Sequence, residues 1–376
     1  MKKSLYSFIA LGALASVAHA DPSVTVYGII AAGVMTQSNS GNAGAGGRAT
    51  GFQEGQLLPS LFGIKGKEDL GGGLTTGFEL EGGFDPSNGS QDYNNKFNGA
   101  LFGRNAKVTI GGDWGTFAAG LQMDPALIAS ASTEPRGLAD AFSMLGFWVA
   151  ATQMNGSTTA GLNPQTAVQG GLFDNNAVSY TYANNGVYLG TLYGFGGVAG
   201  STSANAVESI GASYANSGFT VSGSYVVAKN GNPAIGGNSS EIGVFGLGYV
   251  AGNFAVRGQF AEFKDAASNA FSSAITNDVK CWGIGLDWKT SVPNLVNIAY
   301  YNAKDDGPNL GGSATAVALL DKYYLSKRTQ IFAQIARVKT DANSGNAWAL
   351  DYLYTPAAIG AGASTVFLGA GIQHEF

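Results

Sequence analysis

The sequence predicts an all-β protein, a 16-stranded antiparallel transmembrane β-barrel, and three observations carry that expectation. Segments of about ten residues alternate apolar with polar or small side chains, as strands do when they face lipid on one side and water on the other. Short connectors rich in Gly, Asn and Asp alternate with long ones. The chain also opens with an export signal and closes on an alternating strand that ends in Phe376.

The signal occupies residues 1–20. Lys2 and Lys3 give a basic start, Leu5 to Val17 an apolar stretch, and Ala18 and Ala20 a small-residue cleavage site before Asp21. That stretch, at about 13 residues, is too short for a spanning helix, which needs roughly 20. Residues 21–376 then form one barrel domain, because no composition break divides them.

The clearest strand is Lys280 to Trp288. Trp282, Ile284, Leu286 and Trp288 share one face, and Cys281, Gly283, Gly285 and Asp287 the other. Trp282 and Trp288 are separated by roughly 20 Å at a strand's rise, close to the height of the apolar band between aromatic girdles. Other segments repeat the pattern. Leu74, Thr76, Phe78 and Leu80 oppose Glu79 and Glu81; Phe219, Val221 and Tyr225 oppose Thr220, Ser222 and Ser224. Phe245, Leu247 and Tyr249 oppose glycines, and Phe254, Val256 and Phe260 oppose Arg257 and Gln259. At the carboxy-terminus Val366, Leu368, Ala370, Ile372, His374 and Phe376 form the apolar face. Stretches 316–325 and 330–338 alternate too weakly to be oriented.

Tight connectors fall at 68–73, 113–115, 184–186, 216–218, 251–253, 289–294 and 326–329. Long ones lie near 36–56, 85–99, 123–173, 197–205, 229–240, 264–278, 304–315 and 340–364. Seven short and eight long connectors join sixteen strands, and the even number brings both ends of the wall to the short-turn side. Ala347 to Tyr354 also reads as a strand, but it is assigned to the last loop so that the wall closes. Closure is a physical requirement, since an open edge in hydrocarbon leaves backbone groups without partners. Sixteen strands enclose an aqueous lumen rather than a packed core.

Composition excludes other classes. Glycine supplies 57 of 376 residues, charged residues only 12%, and mean hydropathy is near zero, which does not fit a bundle of spanning helices. The net charge of −5 becomes −7 once Lys2 and Lys3 are removed, and no basic run suggests nucleic acid. Cys281 is alone, so it reads as a buried or wall-facing thiol. After residue 20 the only histidine is His374 on the apolar face, which leaves Ser-His-Asp and His-based metal chemistry without their parts and argues against an enzyme. The glycines from Gly41 to Gly51 lack the Gly-Lys-Ser/Thr ending of a phosphate loop and read as a flexible first loop.

Several motifs carry a family resemblance. VTVYG at 24–28, FGIKGKEDLGGGL at 62–74, GFELEGGF at 77–84, LFGRNAKVTIGGDWGTFAAGLQ at 101–122, YLSKRT at 324–329 and the terminal GIQHEF resemble, in order, segments of the general porins of Gram-negative outer membranes, especially the β-proteobacterial trimeric type. The resemblance implies a homotrimer set among outer-membrane lipid and lipopolysaccharide, passive diffusion of small hydrophilic solutes and ions, and a third extracellular loop folded inward. No cofactor is expected. Phe376 resembles the terminal residue read by the barrel-assembly machinery.

Such porins carry wall arginines opposite acids on the third loop. Arg104 in LFGRNA matches one of these arginines, whereas Leu61 and Ser179 stand where the family commonly has the others. Lys65 shares the lumen face with Leu61 and partly substitutes for the missing charge. Arg104 and Lys107 lie three apart, so without a bulge only one faces inward, and the resemblance favours Arg104. Arg257 is a further lumen candidate. Glu134 and Asp140 in the third loop, with Glu79 and Glu81 on the wall, are the candidate acids of the constriction. Fewer arginines predict a weaker anion preference than the family norm, extending to a cation preference. Phe142, Met144, Phe147 and Trp148 read as an apolar run that packs the third loop on the wall. A channel preferring a sugar or organic acid and an adhesin or receptor are the rival functions.

Overall fold

The computed structural model describes residues 23–40, 47–91, 100–146, 148, 172–229, 239–265, 277–291, 293–307, 312–341 and 362–376. The expected signal, Phe147 and the 347–354 segment lie outside these residues.

Consecutive strands zip into one antiparallel sheet. They are β1 (Ser23–Ser40), β2 (Gly47–Phe52), β3 (Leu61–Gly71), β4 (Leu74–Gly83), β5 (Asn105–Gly112), β6 (Gly115–Met123), β7 (Phe173–Asn184), β8 (Val187–Gly194), β9 (Val207–Asn216) and β10 (Phe219–Ala228). β11 (Ser240–Ala251), β12 (Phe254–Asp265), β13 (Asn277–Lys289), β14 (Asn294–Asp305), β15 (Gly312–Tyr324), β16 (Thr329–Thr340) and β17 (Ser364–Glu375) complete it. β1 closes the ring. Its Ser23–Ile29 half pairs with β3 and its Ile29–Gln37 half with β17, so the wall has sixteen strands, β1 and β3 to β17. The chain end seals the seam: Phe376 N donates to Gly28 O at 3.0 Å, and Gly28 N to Phe376 O at 3.1 Å.

All seven tight connectors stand between the strands expected, as at Asn185–Gly186, where both residues take positive φ. The first loop departs from its reading as a flexible loop over 36–56. β1 runs on to Ser40, and β2 folds back to pair with Val34–Ser40. Above Ile29 the β3 side of β1 has no wall partner, and β2 supplies the hydrogen bonds that edge lacks.

The apolar faces read from sequence point outward. Trp282, Ile284, Leu286 and Trp288 are exposed on the outer surface, as are Phe245, Leu247, Tyr249, Phe254 and Phe260. No helix among the described residues is long and apolar enough to cross a membrane; these strands form the crossing surface.

The weak alternation in β15 and β16 has a packing cause. Their inner faces carry Ala314, Ala316, Ala318, Leu320, Phe332, Ala336 and Val338, all buried: the alanines and Val338 lie against the third loop, and Leu320 and Phe332 against Leu57. Both faces are therefore apolar, one toward lipid and one toward the loop. Phe142, Met144 and Trp148 join that cluster, with Phe142 tilted on Phe367 at 4.9 Å between ring centroids.

Candidate pore constriction

The third loop enters through a short helix. Asp124 caps α1 (Pro125–Ala131) by accepting from Ala126 N at 2.7 Å, and Pro125 fits the first turn, where no N–H is needed. α1 lies on β8 to β10 because the wall offers glycine there. A Cβ at Gly211 would stand 2.7 Å from Ala126 Cα, and one at Gly190 2.5 Å from Pro125 Cβ. Polar bonds fix the loop's course: Gln259 Nε2 to Ser130 O at 2.8 Å, Thr133 Oγ1 with Ser222 Oγ at 2.6 Å, and Asn297 Nδ2 to Pro135 O at 3.0 Å.

Asp124 is fully buried and also accepts from Ser209 Oγ at 2.7 Å, while its Oδ2 has no hydrogen-bond partner among the described residues. Burial pushes the Asp124 carboxyl above its ordinary pKa. A raised folded-state value means that stability falls as pH climbs above the unfolded carboxylate's, about 3.9, toward the folded one. Asp124→Asn keeps the acceptor for Ala126 and Ser209 and removes the buried charge. It is expected to raise the melting temperature at pH 8 while leaving it unchanged at pH 3, measured by circular dichroism in detergent. Equal melting shifts at both pH values would contradict this account.

Glu134 has no exposed surface and does not present its charge to an open lumen. Oε1 accepts from Tyr301 Oη at 2.7 Å and Met144 N at 3.2 Å, and Oε2 from Arg136 N at 2.7 Å and Leu138 N at 2.8 Å. It ties the loop's bend to β14. Asp140 is likewise buried, with its N–H on Leu57 O at 3.0 Å. The expectation that Glu134 opposes a basic wall across the lumen is corrected accordingly: the loop uses its carboxylate to hold its own backbone.

Charge alternates instead along the wall of β3 to β5. Lys65 pairs in register with Glu79, and Glu79 with Lys107, whose Nζ stands 2.8 Å from Glu79 Oε2. One step along, Glu81 Oε1 meets Arg104 Nε at 2.7 Å and Asn105 Nδ2 at 3.3 Å. Tyr27 lies across Gly63 and donates to Glu79 at 2.8 Å and Glu81 at 3.0 Å, while Lys65 Nζ sits 4.8 Å from its ring centroid. Arg104 covers the Phe173 ring at 4.8 Å.

Both cations of the Arg104/Lys107 pair face inward, because the strand carries the irregularity without which only one could. Arg104 N donates to Glu81 O at 3.1 Å while Asn105 is the register partner of Glu81, so two residues oppose one and the alternation slips at Arg104. Leu61 and Ser179 are buried at the wall, and Ser179 Oγ donates to Gln122 Oε1 at 2.6 Å.

Arg257 faces inward near the short-turn end and is ion-paired with Asp287, which also accepts from Asn297 Nδ2 at 2.7 Å. Sequence reasoning passed over Arg136, Tyr301 and Lys322. Arg136 is the lone base between Glu134 and Asp140, and Lys322 lies in the stretch whose inner face is apolar. The outward parity of Val317 and Leu319 would have turned Lys322 inward.

A closed sheet with an apolar outer belt and charged residues on the inner wall defines an outer-membrane β-barrel channel. The model of the family described as Gram-negative porin matches residues 7–343, and the chain belongs to that family. Outer membrane porin protein 32 of Delftia acidovorans is 27% identical over the whole of both chains. An outer membrane porin protein of Bordetella pertussis is 31% identical over 226 residues, 56% of this chain and 52% of its own length. Among solved structures, an anion-selective porin from Comamonas acidovorans has 23% identity and a TM-score of 0.73 over 95% of this chain and 100% of its own. OmpF of Salmonella typhi in complex with daunomycin reaches a TM-score of 0.64 at 17% identity, over 94% and 97%. The chain is accordingly an outer-membrane porin.

Proposed function

We propose that the protein forms a water-filled channel for passive diffusion of small hydrophilic solutes and ions, with a weaker anion preference than its family norm. The observation that carries this reading is the interleaving of charge on the wall of β3 to β5. Lys65, Lys107 and Arg104 against Glu79 and Glu81 leave +3 − 2 = +1, and two of the acids' partners are within 2.8 Å. Paired charges present dipoles to a passing ion rather than the strong single-sign field that excludes counter-charged solutes. The likeness to an anion-selective porin supports the sign of the residual preference. The pore constriction is assigned to Arg104, Lys65, Glu79, Glu81 and Arg257, with Glu134 and Asp140 shaping the loop that narrows it.

The working unit is a homotrimer. The outer surface of β16, β17 and β1 supports this, with Ile331, Ile335, Leu368, Ile372, Val26 and Val34 exposed and no tryptophan or tyrosine among its outward residues, in contrast to β13. Above Trp282 an ion-paired belt of Lys280, Glu262, Asp278 and Asp306 suits lipopolysaccharide head groups, and Phe376 supplies the assembly signal. Reversal potential across a KCl gradient tests the selectivity. The expected value has the anion sign but falls well short of the chloride equilibrium potential; reaching that potential would sink the weak-preference reading, and absence of conductance would sink the channel.

A further inference from the structure

Below the third loop, on the side opposite the Lys65–Arg104 wall, a second group of cations converges. Arg136 is 6% exposed and Nη2 donates to Gln334 Oε1 at 2.9 Å, yet its Nε and Nη1 have no hydrogen-bond partner. Among the described residues its guanidinium enters none of the ion pairs. Arg257 reaches the same bend: its Nη1 stands 3.8 Å from the Cβ position of Gly137, and its Nε also lacks a partner. Lys322 points inward from β15 and interacts electrostatically with Asp287, Arg136 and Arg257.

The acids do not balance this group. Asp287 is engaged by Arg257 and Asn297, which leaves nothing at bonding distance for Arg136 or Lys322. Glu134 spends both oxygens on Tyr301 and three backbone amides. Arg136, Arg257 and Lys322 against Asp287 give +3 − 1 = +2, and including Glu134 gives +1. A guanidinium with unmatched N–H groups in a desolvated position calls for an anion, and two planar forks beside an ammonium match the oxygens of an oxyanion better than a spherical halide.

We propose that Arg136, Arg257 and Lys322 form an anion-binding station on the short-turn side of the third loop, taking small oxyanions such as carboxylates and inorganic phosphate. This rests on the channel reading and locates its residual anion preference away from the Arg104 wall. Arg257 lies three residues into β12 from its short turn and Lys322 two residues from the end of β15, so the station opens toward the short-turn end.

The test uses the full-length channel in a planar bilayer, with KCl on both sides and inorganic phosphate added to each side in turn. Phosphate from the short-turn side is expected to reduce the chloride current at lower concentration than from the other. Lys322→Gln, which removes no hydrogen bond, is expected to raise the half-inhibiting concentration about tenfold, the loss of one charge-assisted contact. Arg257→Gln should do the same. Lys67→Gln removes a cation at the short-turn end of β3, outside the station, and should shift it less than about twofold. Current insensitive to phosphate, no shift with Lys322→Gln, or an equal shift with Lys67→Gln would each overturn the station while leaving the channel intact. A chain that conducts nothing overturns the channel reading and the station with it.

Discussion

Replacing Glu134 with alanine is expected to free the third loop while leaving the barrel folded. Four buried donors lose their acceptor: the Tyr301 hydroxyl and the amides of Arg136, Leu138 and Met144. Each unmatched buried group costs about 1–3 kcal/mol, so the loop's docking is weakened by several kcal/mol even if water reaches some of them. Phe142 and Met144, fully buried against the wall, then lose the backbone bend that delivers them. The wall's ladder does not pass through Glu134, and the strands keep every partner. Single-channel recording should therefore show larger and noisier conductance, while the temperature at which the folded form is lost on gels moves little. Glu134→Gln keeps one acceptor oxygen but turns an amide toward N–H groups, and it should fall between the two. Unchanged conductance and noise in Glu134→Ala would show that the loop is held by its apolar packing alone.

The barrel was legible in the sequence because lipid and water impose opposite demands on successive residues of a strand. Trp282 to Trp288 and the terminal strand obey those demands, and their outward faces match. Where a third environment intrudes, the pattern fails. Ala316 and Ala318 face neither water nor lipid but the underside of the third loop, so β15 could not be oriented, and Lys322 was missed with it. The first loop was misjudged for a related reason: Gly47–Phe52 is polar and glycine-rich, and its strand exists only because β1 offers an unpaired edge. Charge placement was readable to the level of which strands carry it. Its pairing was not, because Arg104 reaches the lumen through an irregularity of hydrogen bonding that no spacing rule contains. Glu134 was assigned by residue type to the lumen, and only its four hydrogen bonds reveal that it serves the loop.

The Arg104–Glu81 pair allows the electrostatic account to be tested by sign. Both side chains are 9% exposed and lie 2.7 Å apart, so removing Arg104 leaves a buried carboxylate with only Tyr27 and Asn105 as donors. Breaking such a pair costs about 3–5 kcal/mol, whereas removing both charges is much milder. Arg104→Ala is thus expected to destabilise the folded barrel clearly, and Arg104→Ala combined with Glu81→Gln to recover most of that loss in thermal denaturation. Selectivity should follow a different rule. The wall of β3 to β5 carries +1 in the native chain, 0 in Arg104→Ala, +2 in Glu81→Gln and +1 again in the double variant. Reversal potentials of the single variants should move in opposite directions, the first toward cations and the second toward anions, and the double variant should return close to the native value. Stability and selectivity are then separated by one pair of residues, since burial governs the first and net wall charge the second. If the double variant stayed as unstable as Arg104→Ala, the two groups would not be energetically coupled. If its reversal potential stayed with either single variant, position rather than the sum of charge would control ion passage.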